Sequence, residues 1–505
     1  MDIKEKVISN SIYLFLDNIA VTLLSFLFWV LIGKTLPPEH FGIITTSTVI
    51  ITTLPVLVLF GTGSAIAKLV SEYYEKRDLN KISALLRFSL KFILLVSTNL
   101  VLFLFAFSSF FSEYFKLSIN VFYITIVGIV VFSFYSISGF FLYGLQNMRK
   151  IFVTNAIGNI FKILISILLL SLGFLYYGPI LGFVISYFLI FLLRLEKRWF
   201  NIKQNKINKR EVFKYSIPAL IFGITSLVYG SLQYFILPIL TNQYETGLFG
   251  IANKITYVIT VIPLTLGAAL FPTVSGLSVY QKIKLIKLKQ EKLINLALRY
   301  CLSLSLPLVV FSAIFARPLI ITLASEKYLD ASLLFIPLAF ASFFFGLSTI
   351  LLNILFAIRK PVIMRNVSVM VMIIFLIFAF PFTIYFSALG MSYALLIAML
   401  FMFSISFYYL RKFLKIEIEG KTFSKIILSN LMLLFYFMII YQLPFVFLIK
   451  LILVIFGIFI YLLMFLFLKF YMRYDIEVLI YLNKKIPFFK KQIDYIIKIL
   501  SKYVK

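Results

Sequence analysis

Apolar runs of 20 or more residues recur from one end of this chain to the other, and a run of that length crosses the hydrocarbon of a bilayer as a helix. In lipid each backbone N–H and C=O must find a partner within the protein, and open helical segments are the simplest way to provide one. The chain is therefore read as an all-α polytopic membrane protein. Composition agrees. Of 505 residues, 62% are hydrophobic and 13% charged, whereas a soluble domain carries about a quarter charged residues. The first run, 7–32, is too long for a signal-peptide core and lacks a small-residue cleavage site, so it is kept as a span.

Charged loops and Gly/Pro breaks divide the sequence into fourteen expected transmembrane helices. They lie near 8–33, 40–67, 84–111, 119–145, 152–172, 176–194, 213–239, 247–275, 294–316, 331–358, 362–385, 388–410, 424–443 and 445–470. Alternate loops are basic: Lys76, Arg77 and Lys81; Arg149 and Lys150; the run from Arg194 to Lys214; Lys282 to Lys292; Arg359 and Lys360; Arg411 to Lys425. The loops between them hold only Lys34, Lys116, Arg317 and Lys327. Cationic loops stay on the cytoplasmic side, so both termini are expected there. The bias toward Ile, Lys and Phe suggests an AT-rich prokaryotic genome and hence a prokaryotic cell membrane.

The formal charge is +29, with 48 Lys and Arg against 19 Asp and Glu. On a soluble chain that excess suggests nucleic acid. Here the cations sit mainly in loops and tails, where orientation and anionic lipids account for them. The tail 474–505 and the linker QKIKLIKLKQEKLINL read as amphipathic helices on the cytoplasmic leaflet, contacting lipid or docking a partner such as a glycan assembly enzyme. The single cysteine, Cys301, excludes an intramolecular disulfide, and with the single histidine, His40, a His/Cys metal site is excluded by count. IGKT at Ile32 to Thr35 resembles the end of a P-loop, but Phe28 stands where its first glycine belongs. No cofactor and no enzymatic site are expected, and transport must draw on an ion gradient, the membrane potential or the substrate gradient.

The stretch EHFGIITTSTVIITTLPV, Glu39 to Val56, repeats as GLFGIANKITYVITVIPL, Gly247 to Leu264, with seven of eighteen positions identical at an offset of 208. Further along, Arg87 corresponds to Arg299, Arg149-Lys150 to Arg359-Lys360, and Leu181-Gly182 to Leu389-Gly390. Two copies of a six-helix unit are expected, 1–200 and 201–412, followed by two additional helices in 413–473 and the tail. An even number of spans per copy gives both the same orientation, a parallel repeat about an axis along the membrane normal. Two such lobes can rock about a site at their interface, giving alternating access.

With these features the chain resembles the multidrug/oligosaccharidyl-lipid/polysaccharide exporter superfamily, and within it the polysaccharide, or O-antigen-type, flippases. The resemblance covers nearly the whole chain and is carried by TLPPEHFGI, GTGSAIAKLVSEYYEKRDLNK, TGLFGIANKI and IPLTLGAALFPTVSG, in that order. The last two are also similar to the eighth helix of lipid II flippases, which carry a basic residue where this chain has Lys254. Polysaccharide flippases often place an Asp in helix seven where SLQYFILPIL has Gln233. The resemblance implies two six-helix lobes with two added helices, a basic cavity, and a polyprenyl diphosphate-linked oligosaccharide moved from the cytoplasmic to the outer leaflet. The alternatives are a cation-coupled multidrug exporter of the same superfamily and a non-transporting scaffold for membrane glycan enzymes.

Charges inside spans are costly and mark candidate sites. Lys254 is about seven residues into its span, roughly 10 Å deep; it either lines a cavity or snorkels. Its counterpart in the first copy is Thr46, so the helix does not need the charge to form. Asn253 and Gln233 would add polar surface beside it. Asp17, expected roughly 15 Å into the first span, either pairs with Lys254 or Lys162 or couples transport to H⁺ or Na⁺. Lys162 is similarly deep in the fifth span. Lys68, Arg87, Lys91 and Arg299 gather near the cytoplasmic ends of their helices, as interfacial anchors or as a funnel for an anionic headgroup.

Overall fold

The computed structural model describes residues 3–196, 199, 209–278, 284–358, 360–415, 420–444, 447–468, 470, 494 and 498. The tail expected to lie on the leaflet falls almost wholly outside these residues, as does most of the loop after Arg194 and the start of the linker at Gln281.

Local chemistry sets the helix ends. Helix α1 (Ile3–Thr35) gives way at Pro37 to α2 (Pro38–Thr53), with Pro38 at the position where a missing N–H costs nothing. Leu54-Pro55 interrupts the run, and α3 (Pro55–Leu59) follows. Phe60 and Gly61, at φ 47° and 69°, then turn the chain into α4 (Thr62–Glu75). A Cβ on Gly61 would overlap the Ser216 carbonyl, so the turn needs glycine for space as well as for its dihedral angle. Asp78 caps α5 (Leu79–Ala106), its carboxylate accepting the Lys81 N–H at 3.1 Å. Helices α6 (Ser108–Tyr114) and α7 (Ile119–Gly144) follow. Asn147 caps α8 (Met148–Ser171) through the Lys150 N–H at 3.2 Å, and α9 (Tyr177–Arg194) ends the first half.

The second half begins with α10 (Lys209–Gly230) and α11 (Leu232–Leu240), which together occupy the expected seventh span. Helix α12 (Gln243–Thr256) passes through a 3₁₀ turn, Tyr257–Thr260, into α13 (Val261–Ser278). That turn lies just before Pro263, the repeat counterpart of Pro55, so both copies change helical geometry at the same place. Then come α14 (Lys284–Ile314), α15 (Ala316–Leu323), a 3₁₀ segment Glu326–Leu334, and α16 (Phe335–Ala357). Helix α17 (Pro361–Phe413) is followed by α18 (Gly420–Gln442) and α19 (Phe447–Phe467).

A straight helix of 53 residues, the length of α17, would run about 80 Å, far beyond the roughly 30 Å of hydrocarbon. The chain instead breaks at Ser387 (φ 51°, ψ −132°), between the two spans expected at 362–385 and 388–410. The Ala388 N–H freed by the break donates to the Glu245 carboxylate at 3.1 Å. Eleven helices among the described residues are long and apolar enough to cross a membrane, with α17 counted once. Splitting α17 and including the α10–α11 pair and the shorter apolar run Ile449–Phe465 in α19 places a helix at each of the fourteen expected spans. The protein is a multi-pass, all-helical membrane protein.

Contacts divide the chain into two compact units. The first comprises Met1–Ile255, Ile320–Leu338 and Arg365–Ala398; the second comprises Thr256–Leu319, Ala339–Met364 and Met399–Lys505. Buried hydroxyls in the first unit return their hydrogens to carbonyls one turn back, as in Thr45 to Phe41 at 2.8 Å and Ser133 to Ile129 at 2.7 Å. Here the two repeated segments also meet. A Cβ on Gly42 would overlap the Gln243 carbonyl, and one on its counterpart Gly250 would stand 3.1 Å from the Phe41 ring and 3.2 Å from the Thr45 hydroxyl. Gln243 accepts from the Thr46 hydroxyl at 3.2 Å and donates to the Phe115 carbonyl at 2.7 Å, so close approach and side-chain bonding coincide. In the second unit, Tyr461 ties α19 to its neighbours: it accepts from Asn430 at 3.1 Å and donates to the Ser303 carbonyl at 2.8 Å.

Candidate anion site on helix α1

Two consecutive aromatic residues of α1, Phe28 and Trp29, pack edge to face with centroids 5.2 Å apart. Successive helical residues point about 100° apart, so the pair presents rings to two neighbours. The Lys162 ammonium, from α8, lies 4.8 Å from the Phe28 centroid and 5.5 Å from Phe183. The Lys254 ammonium, from α12, lies 4.7 Å from Trp29 and 5.9 Å from Tyr234. Two cations that the sequence places 92 positions apart thus share one aromatic step, and each lies within electrostatic reach of the other.

Neither ammonium has an acidic partner among the described residues. Lys162 is 3% exposed, with one acceptor, the Asn159 side-chain oxygen at 2.7 Å. Among the described residues no carboxylate lies within salt-bridge distance of Lys162 or Lys254. A desolvated cation–π contact contributes about 2 kcal/mol, against several kcal/mol for taking a charge out of water. The rings cover part of that cost, and the site is left short of negative charge.

Helix α12 begins at Gln243, earlier than the expected 247, so Lys254 stands about 16 Å along it. Its ammonium lies against the Trp29 and Tyr234 rings. Asn253 donates to the Tyr234 hydroxyl at 2.9 Å and so holds the second ring. Gln233 is 1% exposed, and its side-chain oxygen has no hydrogen bond among the described residues.

Asp17 is placed elsewhere. Neither lysine is its partner: Asn155 donates to both its carboxylate oxygens, at 3.0 and 3.2 Å. The Asn155 oxygen in turn accepts from Arg194 at 2.7 Å, while other guanidinium nitrogens donate to the Thr154 hydroxyl at 3.1 Å and the Tyr135 carbonyl at 3.2 Å. Arg194 is 6% exposed and stacks 4.6 Å from the Tyr135 ring. Arg194 closes α9, and Asn155 bridges it to Asp17. By sequence Arg194 falls among the loop cations and Asn155 carries no mark; no signal in a single sequence separates a buried helix-end arginine from a loop one.

The remaining candidates are dispersed. Lys68, on α4, sits 3.4 Å from the Tyr215 ring centroid and pairs with Glu72 at 3.6 Å on an exposed face. On α5, Arg87 is half-buried and Lys91 exposed. Arg299 belongs to the second compact unit, where it is buried 5.0 Å from Phe470 and 5.2 Å from Tyr300.

A sequence profile described as polysaccharide biosynthesis protein matches residues 7–278, more than half the chain and the whole of this site. The chain belongs to that family. Among curated proteins none matches the sequence significantly. Among solved structures, "Lipid II flippase MurJ, inward closed conformation" is similar at TM-score 0.70 and 19% identity, covering 90% of this chain and 98% of that one. A multidrug resistance MATE family transporter in the inward-facing conformation is similar at TM-score 0.64 and 15% identity, covering 78% and 95%. A MATE in the straight conformation gives 0.52 at 15%, covering 81% and 96%. At these identities the likeness establishes a shared fold.

Proposed function

We propose that this member of the polysaccharide biosynthesis protein family is a flippase, moving a polyprenyl diphosphate-linked oligosaccharide from the cytoplasmic to the outer leaflet of a prokaryotic cell membrane. The observation that supports it best is the pair Lys162 and Lys254, held on Phe28 and Trp29 with no carboxylate partner among the described residues. A diphosphate supplies the missing charge, and lysine receives phosphate oxygens as a point charge. The two six-helix lobes, 1–200 and 201–412, rock to expose this site to each leaflet in turn, with both termini cytoplasmic. The close approach of the repeats at Gly42 and Gly250 supports a closed state at one end of the membrane. No covalent chemistry is assigned to the chain.

The Asp17 carboxylate fits a structural clasp better than an ion-coupling site, because Asn155 already donates to both its oxygens and links it to Arg194. A cation-coupled drug exporter would also set its cargo against two buried ammonium groups. The test is lipid analysis by leaflet after depletion of the protein in its host. Lipid-linked glycan should accumulate on the cytoplasmic leaflet; an unchanged distribution rejects the flippase reading.

A further inference from the structure

Helices α1 and α8 are joined at Asn155 and at Lys162, then leave between their Thr35 and Ser171 ends a groove of about 390 Å³. That is about thirteen times the volume of a water molecule in the liquid. Ile32, Ile163, Ile167, Leu170 and Leu175 line it, with Phe28 at its inner end. Three hydroxyls also face it, and all three donate to their own helices: Thr35 to Leu31 at 3.0 Å, Ser166 to Lys162 at 2.6 Å, and Ser171 to Leu168 at 2.8 Å. The groove therefore offers hydrocarbon and no spare donor. Ile167 and Leu175 are exposed, so the groove opens at the surface of the protein.

The groove continues the anion site. Phe28 belongs to both, its ring near the Lys162 ammonium while it also lines the groove. On α8, Lys162, Ser166 and Leu170 follow at intervals of four, on one helix face. An anion at Lys162 and a chain along that face are the two parts of one amphiphile.

We propose that this groove seats the first isoprene units of the transported lipid while its diphosphate rests on Lys162 and Lys254. The proposal rests on the flippase reading and adds to it where the chain lies. It is tested on the full-length protein in phosphatidylcholine nanodiscs, with polyprenyl diphosphate and inorganic diphosphate as separate probes. The parent should bind polyprenyl diphosphate at least tenfold more tightly than the inorganic ion. Thr35→Phe with Ser171→Trp, both at exposed positions, should remove that advantage and leave inorganic diphosphate binding unchanged, whereas Lys254→Gln should weaken both.

If the filled groove binds the polyprenyl compound as the parent does while Lys254→Gln does not, the groove is overturned and the flippase reading stands. If the parent binds neither probe, both fall. As an independent measurement, p-benzoylphenylalanine in place of Ile167 should cross-link to polyprenyl diphosphate on irradiation. An adduct to phosphatidylcholine alone, with the polyprenyl compound present, makes the occupant a bulk lipid and overturns the proposal.

Discussion

Helix α1 carries two buried charge clusters that solve opposite problems. At Asp17 the carboxylate accepts from Asn155, whose oxygen accepts from Arg194, so one amide links two opposite charges. At Phe28 and Trp29 two ammonium groups meet rings and one amide, with no acid among the described residues. Breaking a compensated buried pair harms the fold, because the surviving charge is stranded. Removing a cation from an uncompensated cluster relieves the fold and harms whatever the cluster binds. One helix thus separates a stability site from a ligand site, and mutation should tell them apart.

The largest effect is expected from Lys162→Gln with Lys254→Gln. Each charged hydrogen bond to phosphate contributes about 1.5–3 kcal/mol, so flipping in proteoliposomes should fall at least ~100-fold while the thermal midpoint holds or rises. Full activity in the double variant would remove the anion site. Next, Asp17→Asn removes the charge that Asn155 links to Arg194 and should cost about 1–3 kcal/mol of stability, seen as a lowered melting temperature. Adding Arg194→Gln should recover part of the loss, and a double variant no more stable than Asp17→Asn would show that the two clusters do not differ in kind. Gly42→Val forces α2 from the Gln243 carbonyl; overpacking of this kind costs about 1–3 kcal/mol, and cysteine pairs across the contact should cross-link less. Trp29→Leu removes one cation–π face and should weaken diphosphate binding roughly 5- to 30-fold. The smallest effect is expected from Asn253→Ala, which frees the Tyr234 ring by deleting one hydrogen bond of about 1 kcal/mol.

Much of the fold was legible because the bilayer leaves a chain few options. Apolar length and loop charge locate the spans, and the break at Ser387 falls between two runs that sequence had already separated. The paired lysines were legible as anomalies: Lys162 and Lys254 stand out in hydrocarbon sequence wherever they point. What periodicity could not supply was partnership. Phe28 and Trp29 look like any lipid-facing aromatics until α8 and α12 bring cations to them. Asp17 carries no mark of choosing Asn155 over a lysine, and Arg194 reads as a loop residue because a single sequence does not say where α9 stops. Helix start matters as well: beginning α12 at Gln243 rather than 247 puts Lys254 about four residues further along its helix than the sequence pattern suggests.

Phe28 and Trp29 are neighbours on a rigid rod, and that has a mechanical consequence. A small rotation of α1 about its own axis carries both rings together, so neither lysine can lose its aromatic face without disturbing the other. Two point charges on separate helices are thereby geared through one shaft. In the flippase proposed above, a ligand with two phosphates would engage both teeth at once, while a monophosphate would engage one and leave the shaft free to turn. Discrimination between the two headgroups would then arise from torsion of a single helix, without any pocket shaped to count phosphates.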